Sequence, residues 1–167
     1  MAELIDRSLA EVRLSVDPTV HLESVNLLRL VDQICVTAGI DARVRKQTLE
    51  INIHSEIVIE VDQHLIYSAL YNLIQNALKY THIGGTIKVS AEALSKKIVI
   101  KIADECGGLS HPTVDLFKAF EQQNENRQGL GLGLTIAQRA VELNHGTISV
   151  TNLPGRGCEF TITLPSA

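Results

Sequence analysis

The sequence predicts an α/β two-layer sandwich, with about three helices covering one face of a mixed, largely antiparallel sheet. Three observations predict it. Alternating apolar segments arrive mostly as neighbouring pairs rather than singly between helices, which argues against a doubly wound parallel sheet. Three internal segments carry apolar residues at helical spacing. Of the 167 residues 45% are hydrophobic and 20% charged, enough to fill one core and too apolar for a disordered chain.

Residues 1–16 place Leu4, Ile5, Leu9, Val12 and Leu14 among charges at helical spacing, and Asp17-Pro18 ends the run because a residue before proline avoids helical angles. This reads as an N-terminal helical remnant. A second amphipathic helix is expected from about Asn26 into the low forties. Leu49, Ile51 and Ile53 then alternate with Thr48, Glu50 and Asn52, and Ile57–Val61 follows, so two strands in hairpin order are expected. Asp62 can cap a helix over about 63–80, whose apolar residues fall in doublets from Leu65/Ile66 to Ala77/Leu78. After a turn at His82–Gly85, Thr86–Ala93 and Lys97–Ala103 read as an antiparallel pair. Residues 104–130 are polar and glycine-rich around one short apolar cluster, Val114–Phe120. A helix from about Leu132 to Leu143 and strands at Thr147–Thr151 and Glu159–Leu164 close the chain.

Composition excludes several classes of function. A net charge of −4 is a poor basis for neutralising nucleic-acid phosphates. No apolar run approaches the roughly 20 residues that span a bilayer, so a soluble, cytoplasmic polypeptide is expected. Cys35, Cys106 and Cys158 are an odd number at wide spacings, fitting neither a disulfide framework nor paired C-x-x-C zinc ligands. Reduced thiols are the simple expectation.

Three constellations can carry chemistry. On the helix at 63–80, His64, Ser68, Asn72, Asn76 and Tyr80 are spaced by four and stack along one side, with Lys79 in the same patch. Amide oxygens suit magnesium, which prefers hard oxygen ligands, and a neighbouring ammonium can hold a phosphate. The same row could equally line a solvated helix edge. Second, Asp104 ends a strand and enters Glu105-Cys106-Gly107-Gly108, where a carboxylate can accept from an exocyclic amine and glycines let a flat ring approach. A plain turn has the same composition. Third, Gly129, Gly131 and Gly133 alternate with Leu130, Leu132 and Leu134 and run into a helix, an arrangement that can turn successive N–H groups toward one anion. No Lys-Ser/Thr follows, so this is not a Walker A loop.

In their order and spacing these segments resemble the catalytic ATP-binding domain of the sensor histidine kinases, within the superfamily of gyrase, Hsp90, histidine kinases and MutL. The likeness covers roughly 23–165. Asn72–Thr81 looks like the N box, Asp104–Gly108 like the first glycine box, Phe117–Phe120 like the F box and Gly129–Leu134 like the second glycine box. Gly155–Phe160 sits where the family closes with G-x-G-T-x-F. The resemblance implies a Bergerat-type ATP-binding fold over 21–167, with residues 1–20 as the end of an acceptor-domain helix and its linker.

The resemblance also implies roles. Asn76 would coordinate the Mg2+ that bridges the ATP phosphates, with Asn72 beside it. Lys79 would touch phosphate, Tyr80 the nucleotide edge and Asp104 the adenine amino group. Gly108 and the second glycine box, with Leu130, Leu132 and Leu134 between its glycines, would complete the nucleotide site. Residues from about Leu109 to Gln128 would form a lid anchored by Phe117 and Phe120. Asn72 stands where hydrolysing relatives carry a glutamate, and asparagine takes no proton, so phosphoryl transfer is expected over hydrolysis. The acceptor would be a histidine on a dimerisation domain of the same kinase, followed by a response regulator receiver domain. None of His21, which precedes a strand, His54, His64, His82, His111 or His145 lies in an acceptor context. The isolated domain is expected to be monomeric, and a membrane anchor elsewhere in the full protein stays open.

Two residues depart from the family pattern. Cys106 replaces a glycine and Cys158 a threonine; both are small, so ATP binding is expected to survive, weakened. The altered glycine box motivates an alternative, a pseudokinase or nucleotide-sensing module that binds ATP or ADP without transfer. A serine kinase of the anti-sigma type fits less well, because it needs no acceptor-domain helix.

Overall fold

The computed structural model describes residues 19–108 and 131–166, in the second stretch with side chains from Gly133 onward. The helix expected at 1–16, the segment 109–128 with Phe117 and Phe120, and Gly129 and Leu130 lie outside the described residues. The elements are β1 (Glu23–Asn26), α1 (Leu27–Val44), β2 (Thr48–Asn52), β3 (Val58–Val61), α2 (Gln63–Tyr80), β4 (Thr86–Leu94), β5 (Lys97–Ala103), α3 (Gly131–Leu143), β6 (Thr147–Leu153) and β7 (Gly157–Pro165). Five strands form one sheet in the order β2-β4-β5-β7-β6, and β1 and β3 form a separate two-stranded sheet. Among the described residues only β2 and β4 pair in parallel; the other pairs are antiparallel.

The expected two-layer class is the observed one, and the apolar patterns explain it. In α2 the doublets bury Ile66, Ala69, Leu70, Leu73, Ile74, Ala77 and Leu78. They meet a sheet face built from Ile87, Val89, Ile98, Ile100, Ile102, Ile162 and Leu164, in one continuous core shared with α1 and α3. Each Leu, Ile or Val among them contributes about 1.5–3 kcal/mol when taken out of water. Along α1, by contrast, Val36, Ile40 and Val44 face solvent.

Helix starts follow their caps. Asn26 accepts from Arg29 N at 3.0 Å, and Asp62 Oδ1 accepts from His64 N and Leu65 N at 3.1 and 3.2 Å. Asp62 is held in turn by Asn144, whose Oδ1 accepts from Asp62 N at 2.7 Å and whose Nδ2 donates to Ala140 O. Thus the start of α2 is fixed to the end of α3. That end turns sharply: His145 takes φ 59°, and a Cβ on Gly146 would lie 2.7 Å from Thr163 O.

One expectation fails. Residues 48–53 and 57–61 do not make a hairpin. β2 pairs in parallel with β4, Thr48 opposite Thr86, and β3 pairs with β1, Val61 opposite Glu23. The cause lies in the link between them: Asn26 Nδ2 donates to Ser55 O at 2.7 Å and Leu27 N to Ile57 O at 3.1 Å. The start of α1 thereby holds the 54–57 turn and aims β3 at β1. β1 itself lies just after His21, where a strand is expected. The remaining strands and helices sit where the sequence places them, with β7 starting earlier, at Gly157.

Asn26 is therefore both a helix cap and the anchor of the turn that redirects β3. Asn26→Ala should cost about 1–2 kcal/mol. Urea unfolding checks this; an unchanged midpoint would show that neither bond matters.

Candidate functional site

The polar row of α2 is set by helical spacing beside the buried doublets. Ser68, Asn72 and Asn76 are half-buried, while His64 and Tyr80 are exposed. Asn72 is oriented by its own helix, Nδ2 donating to Ser68 O at 2.8 Å. That bond leaves its carbonyl oxygen to face α3: a Cβ on Gly133 would stand 3.1 Å from Asn72 Oδ1. Gly133 is buried in the first turn of α3, so a glycine of the third constellation meets the asparagine of the first. Gly131 opens the helix and Leu132 follows it, while Leu134 is buried in the core. Lys79 extends its ammonium over the Tyr80 ring, 5.5 Å from the centroid, a cation–π contact.

Asp104 ends β5. Its Oδ1 accepts from Cys106 N at 3.1 Å and Cys158 N at 3.0 Å, and its own N donates to Cys158 O at 2.9 Å. The carboxylate is thus held by two backbone donors from two separate strands' ends, while a carboxylate offers about four lone-pair sites. Gly157 is the reason the chains come so close: a Cβ there would lie 1.8 Å from Asp104 O. Gly107 and Gly108 take φ of +85° and +95°, the left-handed region open to glycine. Gly107 N donates to Arg156 O at 3.1 Å, which ties this segment to the turn before β7.

The end of α2 and the Asp104 segment are joined by Thr81 and Glu105, which lie within the N box and the first glycine box without an assigned role, and by His82, Thr86, Gln47 and Arg45, which lie outside the motifs. Glu105 N donates to Thr81 Oγ1 at 3.3 Å, Thr86 N donates to Glu105 Oε2 at 2.7 Å, and His82 Nδ1 lies 2.9 Å from Glu105 O. Gln47 Nε2 donates to Leu78 O and Thr81 O at 3.0 and 2.7 Å, and Arg45 Nη1 to Leu78 O and Lys79 O at 3.1 and 3.0 Å. These donors satisfy carbonyls left open at the helix C-terminus and complement its negative dipole end. No short-range pattern marks Arg45 and Gln47, because their partners are remote in sequence.

The cysteines are the other surprise. Read as plain thiols at wide spacing, Cys106 and Cys158 are brought together by the β5–β7 pairing, with Sγ atoms 3.1 Å apart. Both are free thiols. Burial raises the pKa of each above its ordinary value; a hydrogen bond to Asp104 adds to this for Cys106, and a hydrogen bond from Cys106 for Cys158. Cys35, in α1, is likewise pushed up to about 11 by burial and by Asp32.

Residues 61–167 match the family described as histidine kinase-, DNA gyrase B- and HSP90-like ATPase. The sensor histidine kinase TmoS of Ectopseudomonas mendocina is 35% identical over 131 residues, covering 74% of this chain and 13% of that protein. The heme sensor protein HssS of Staphylococcus aureus is 36% identical over 106 residues, covering 63% of this chain and 23% of that one. The chain thus spans less than a quarter of the length of either relative. Among solved structures, the catalytic domain of histidine kinase ThkA superposes with a TM-score of 0.77 at 25% identity, covering 87% of this chain and 96% of that one. Full-length ShkA, solved in complex with AMPPNP, shares the fold with a TM-score of 0.82 at 24% identity, over 99% of this chain and 36% of that one.

The close approach at Gly157 gives a direct test of the Asp104 clasp. Gly157→Ala forces β7 away from Asp104 and should lower stability by more than about 2 kcal/mol. Gly155→Ala meets nothing within 4 Å, but keeps a φ of +72° and should cost about 1–2 kcal/mol. Thermal denaturation of the two variants ranks them; equal losses would mean that the approach relaxes freely.

Proposed function

The chain belongs to the histidine kinase-, DNA gyrase B- and HSP90-like ATPase family, and on that footing we propose that it works as the catalytic ATP-binding domain of a two-component sensor histidine kinase. In this reading it transfers the γ-phosphate of Mg-ATP to a histidine on a dimerisation domain outside this sequence. A response regulator receiver domain then takes the phosphoryl group. Residues 21–167 form the nucleotide-binding unit, and residues 1–20 lead in from the acceptor domain. Among the described residues no helix is long and apolar enough to cross a membrane.

One observation carries the proposal: Asp104, fixed by two backbone N–H groups, is tied through Glu105 to the end of the helix that bears Asn72, Asn76 and Lys79. An adenine amino group donates to Asp104, which favours ATP over a nucleotide whose base presents a carbonyl there. Gly108 keeps the wall flat: a Cβ would stand 3.2 Å from Asn152 Oδ1. Tyr80 lines the nucleotide edge and Lys79 holds phosphate as a point charge.

The donor set fits Mg2+. It offers neutral amide oxygens one helical turn apart, and the bond from Asn72 Nδ2 to Ser68 O turns the Asn72 carbonyl toward the start of α3, where the phosphate-binding glycines lie. Asn76 would hold the ion with Asn72 beside it, and the ion would supply charge neutralisation at the phosphates. Backbone N–H groups of Gly129, Gly131 and Gly133, with Leu130, Leu132 and Leu134 between and after them, would direct donors to the phosphates at the start of α3. Phe120, in the segment proposed as a lid, would close over the nucleotide. Because Asn72 cannot remove a proton from water, hydrolysis stays slow and the acceptor histidine is the productive nucleophile.

Asn76→Ala should weaken Mg-dependent ATP binding about ten- to a hundredfold, the loss of a charge-assisted contact of about 1.5–3 kcal/mol. Asp104→Ala should weaken nucleotide binding with and without Mg2+ alike. Calorimetry separates the two, and equal affinity in wild type and both variants would remove the pocket assignment. Mixed with Mg-ATP and the acceptor domain, the chain should give acid-labile phosphate. Tight ATP binding with no transfer would favour the nucleotide-sensing alternative, which Cys106 in the glycine box motivates.

A further inference from the structure

Cys106 Sγ, Cys158 Sγ and a carboxylate oxygen of Asp104 all lie within 4.8 Å of one another. Cys158 is buried and the other two are half-buried, so the cluster is reached from one side, through Asp104 and Cys106. The backbone is already fixed around it, since the amides of both cysteines donate to the same carboxylate oxygen. We propose that Asp104, Cys106 and Cys158 form a binding site for a thiophilic divalent cation of the zinc class, and that a cation held there takes the carboxylate away from adenine and blocks the nucleotide. This inference rests on the reading of Asp104 as the adenine-recognising group.

The geometry decides between two uses of the thiol pair. Bonds of about 2.3 Å to sulfur at a tetrahedral angle put the two sulfurs about 3.8 Å apart. A disulfide needs about 2.05 Å. From 3.1 Å, the cation asks for the smaller movement, an opening of the pair rather than a closing. The chemistry points the same way. A hydroperoxide or an exchanging disulfide is attacked by a thiolate, and both of these sulfurs are free thiols. A zinc-class cation removes that obstacle itself: two S–metal bonds form, two thiol protons leave to solvent, and the ion's charge offsets the buried negative charge. Two thiolates and one carboxylate are three ligands of a four-coordinate ion, with the fourth position open toward the half-exposed side.

The reduced full chain is titrated with Co2+, whose thiolate bonds give a charge-transfer absorption. The band should saturate at one ion per chain and vanish when Zn2+ is added. Cys106→Ser and Cys158→Ser should each lose it, while Cys35→Ser, distant in α1, should keep it. Cys106→Ser alters a half-exposed thiol and carries the test should Cys158→Ser fail to fold, as judged by circular dichroism. ATP affinity is then measured with and without Zn2+ in wild type and in Cys106→Ser, so that chelation by ATP itself cancels. Zinc should weaken ATP binding at least tenfold more in wild type than in the variant. A missing band, or one that survives in the Cys106 and Cys158 variants, overturns the site; an equal zinc effect in wild type and variant overturns the competition. A band with no ATP binding in any metal-free protein would instead overturn the nucleotide reading and leave the cation site standing.

Discussion

The site is organised around the clasp between Asp104 and the start of β7. One carboxylate oxygen takes the N–H groups of Cys106 and Cys158, and the Asp104 amide returns a bond to Cys158 O. This joins the end of β5 to the start of β7, two adjacent strands of the five-stranded sheet. It also fixes the carboxylate by backbone rather than by flexible side chains, so its direction is set before any ligand arrives. Preorganised polar groups gain more from binding because no ordering remains to oppose it. The absence of a Cβ at Gly157 makes the clasp sterically feasible, and the left-handed turn at Gly107 and Gly108 carries the chain away from it.

A second set of bonds references α2 to that clasp. Thr81, His82 and Glu105 join the helix end to the Asp104 segment, and Arg45 and Gln47 hold its last carbonyls from the other side. At the opposite end, Asp62 and Asn144 dock α2 to α3. The polar row therefore sits between two fixed points. Its asparagines are weak helix formers, and seven buried neighbours on the same helix offset that weakness.

Much of this was legible in the sequence because it is local. The helix start near Asn26, the cap at Asp62, doublets every four residues in α2, and the antiparallel pair β4–β5 around Leu94–Lys96 all depend on near neighbours. The three constellations could be read as one pocket through the family resemblance, and Gly133 against Asn72 and Glu105 against Thr81 are contacts that draw them together. Long-range pairings were not legible. Nothing near Ser55 announces that Asn26 will bind it, so β2 and β3 looked like a hairpin. Nothing in the spacing of Cys106 and Cys158 announces that β5 and β7 will bring their sulfurs together. Positive φ at His145 was hidden for the same reason: the close packing of Gly146 on Thr163 imposes it.

The lone parallel pair has a kinetic corollary. Strands β4 and β5, and β6 and β7, need only a short turn to meet, whereas β2 and β4 must wait for β3 and the whole of α2 to lie between them. Contacts of low sequence separation form earliest, because little chain entropy opposes their closure. Sequence separation therefore favours early closure of the hairpins and late addition of the β2 edge. In native-state hydrogen exchange this ordering would appear as β2 amides opening ahead of those in β5 and β7.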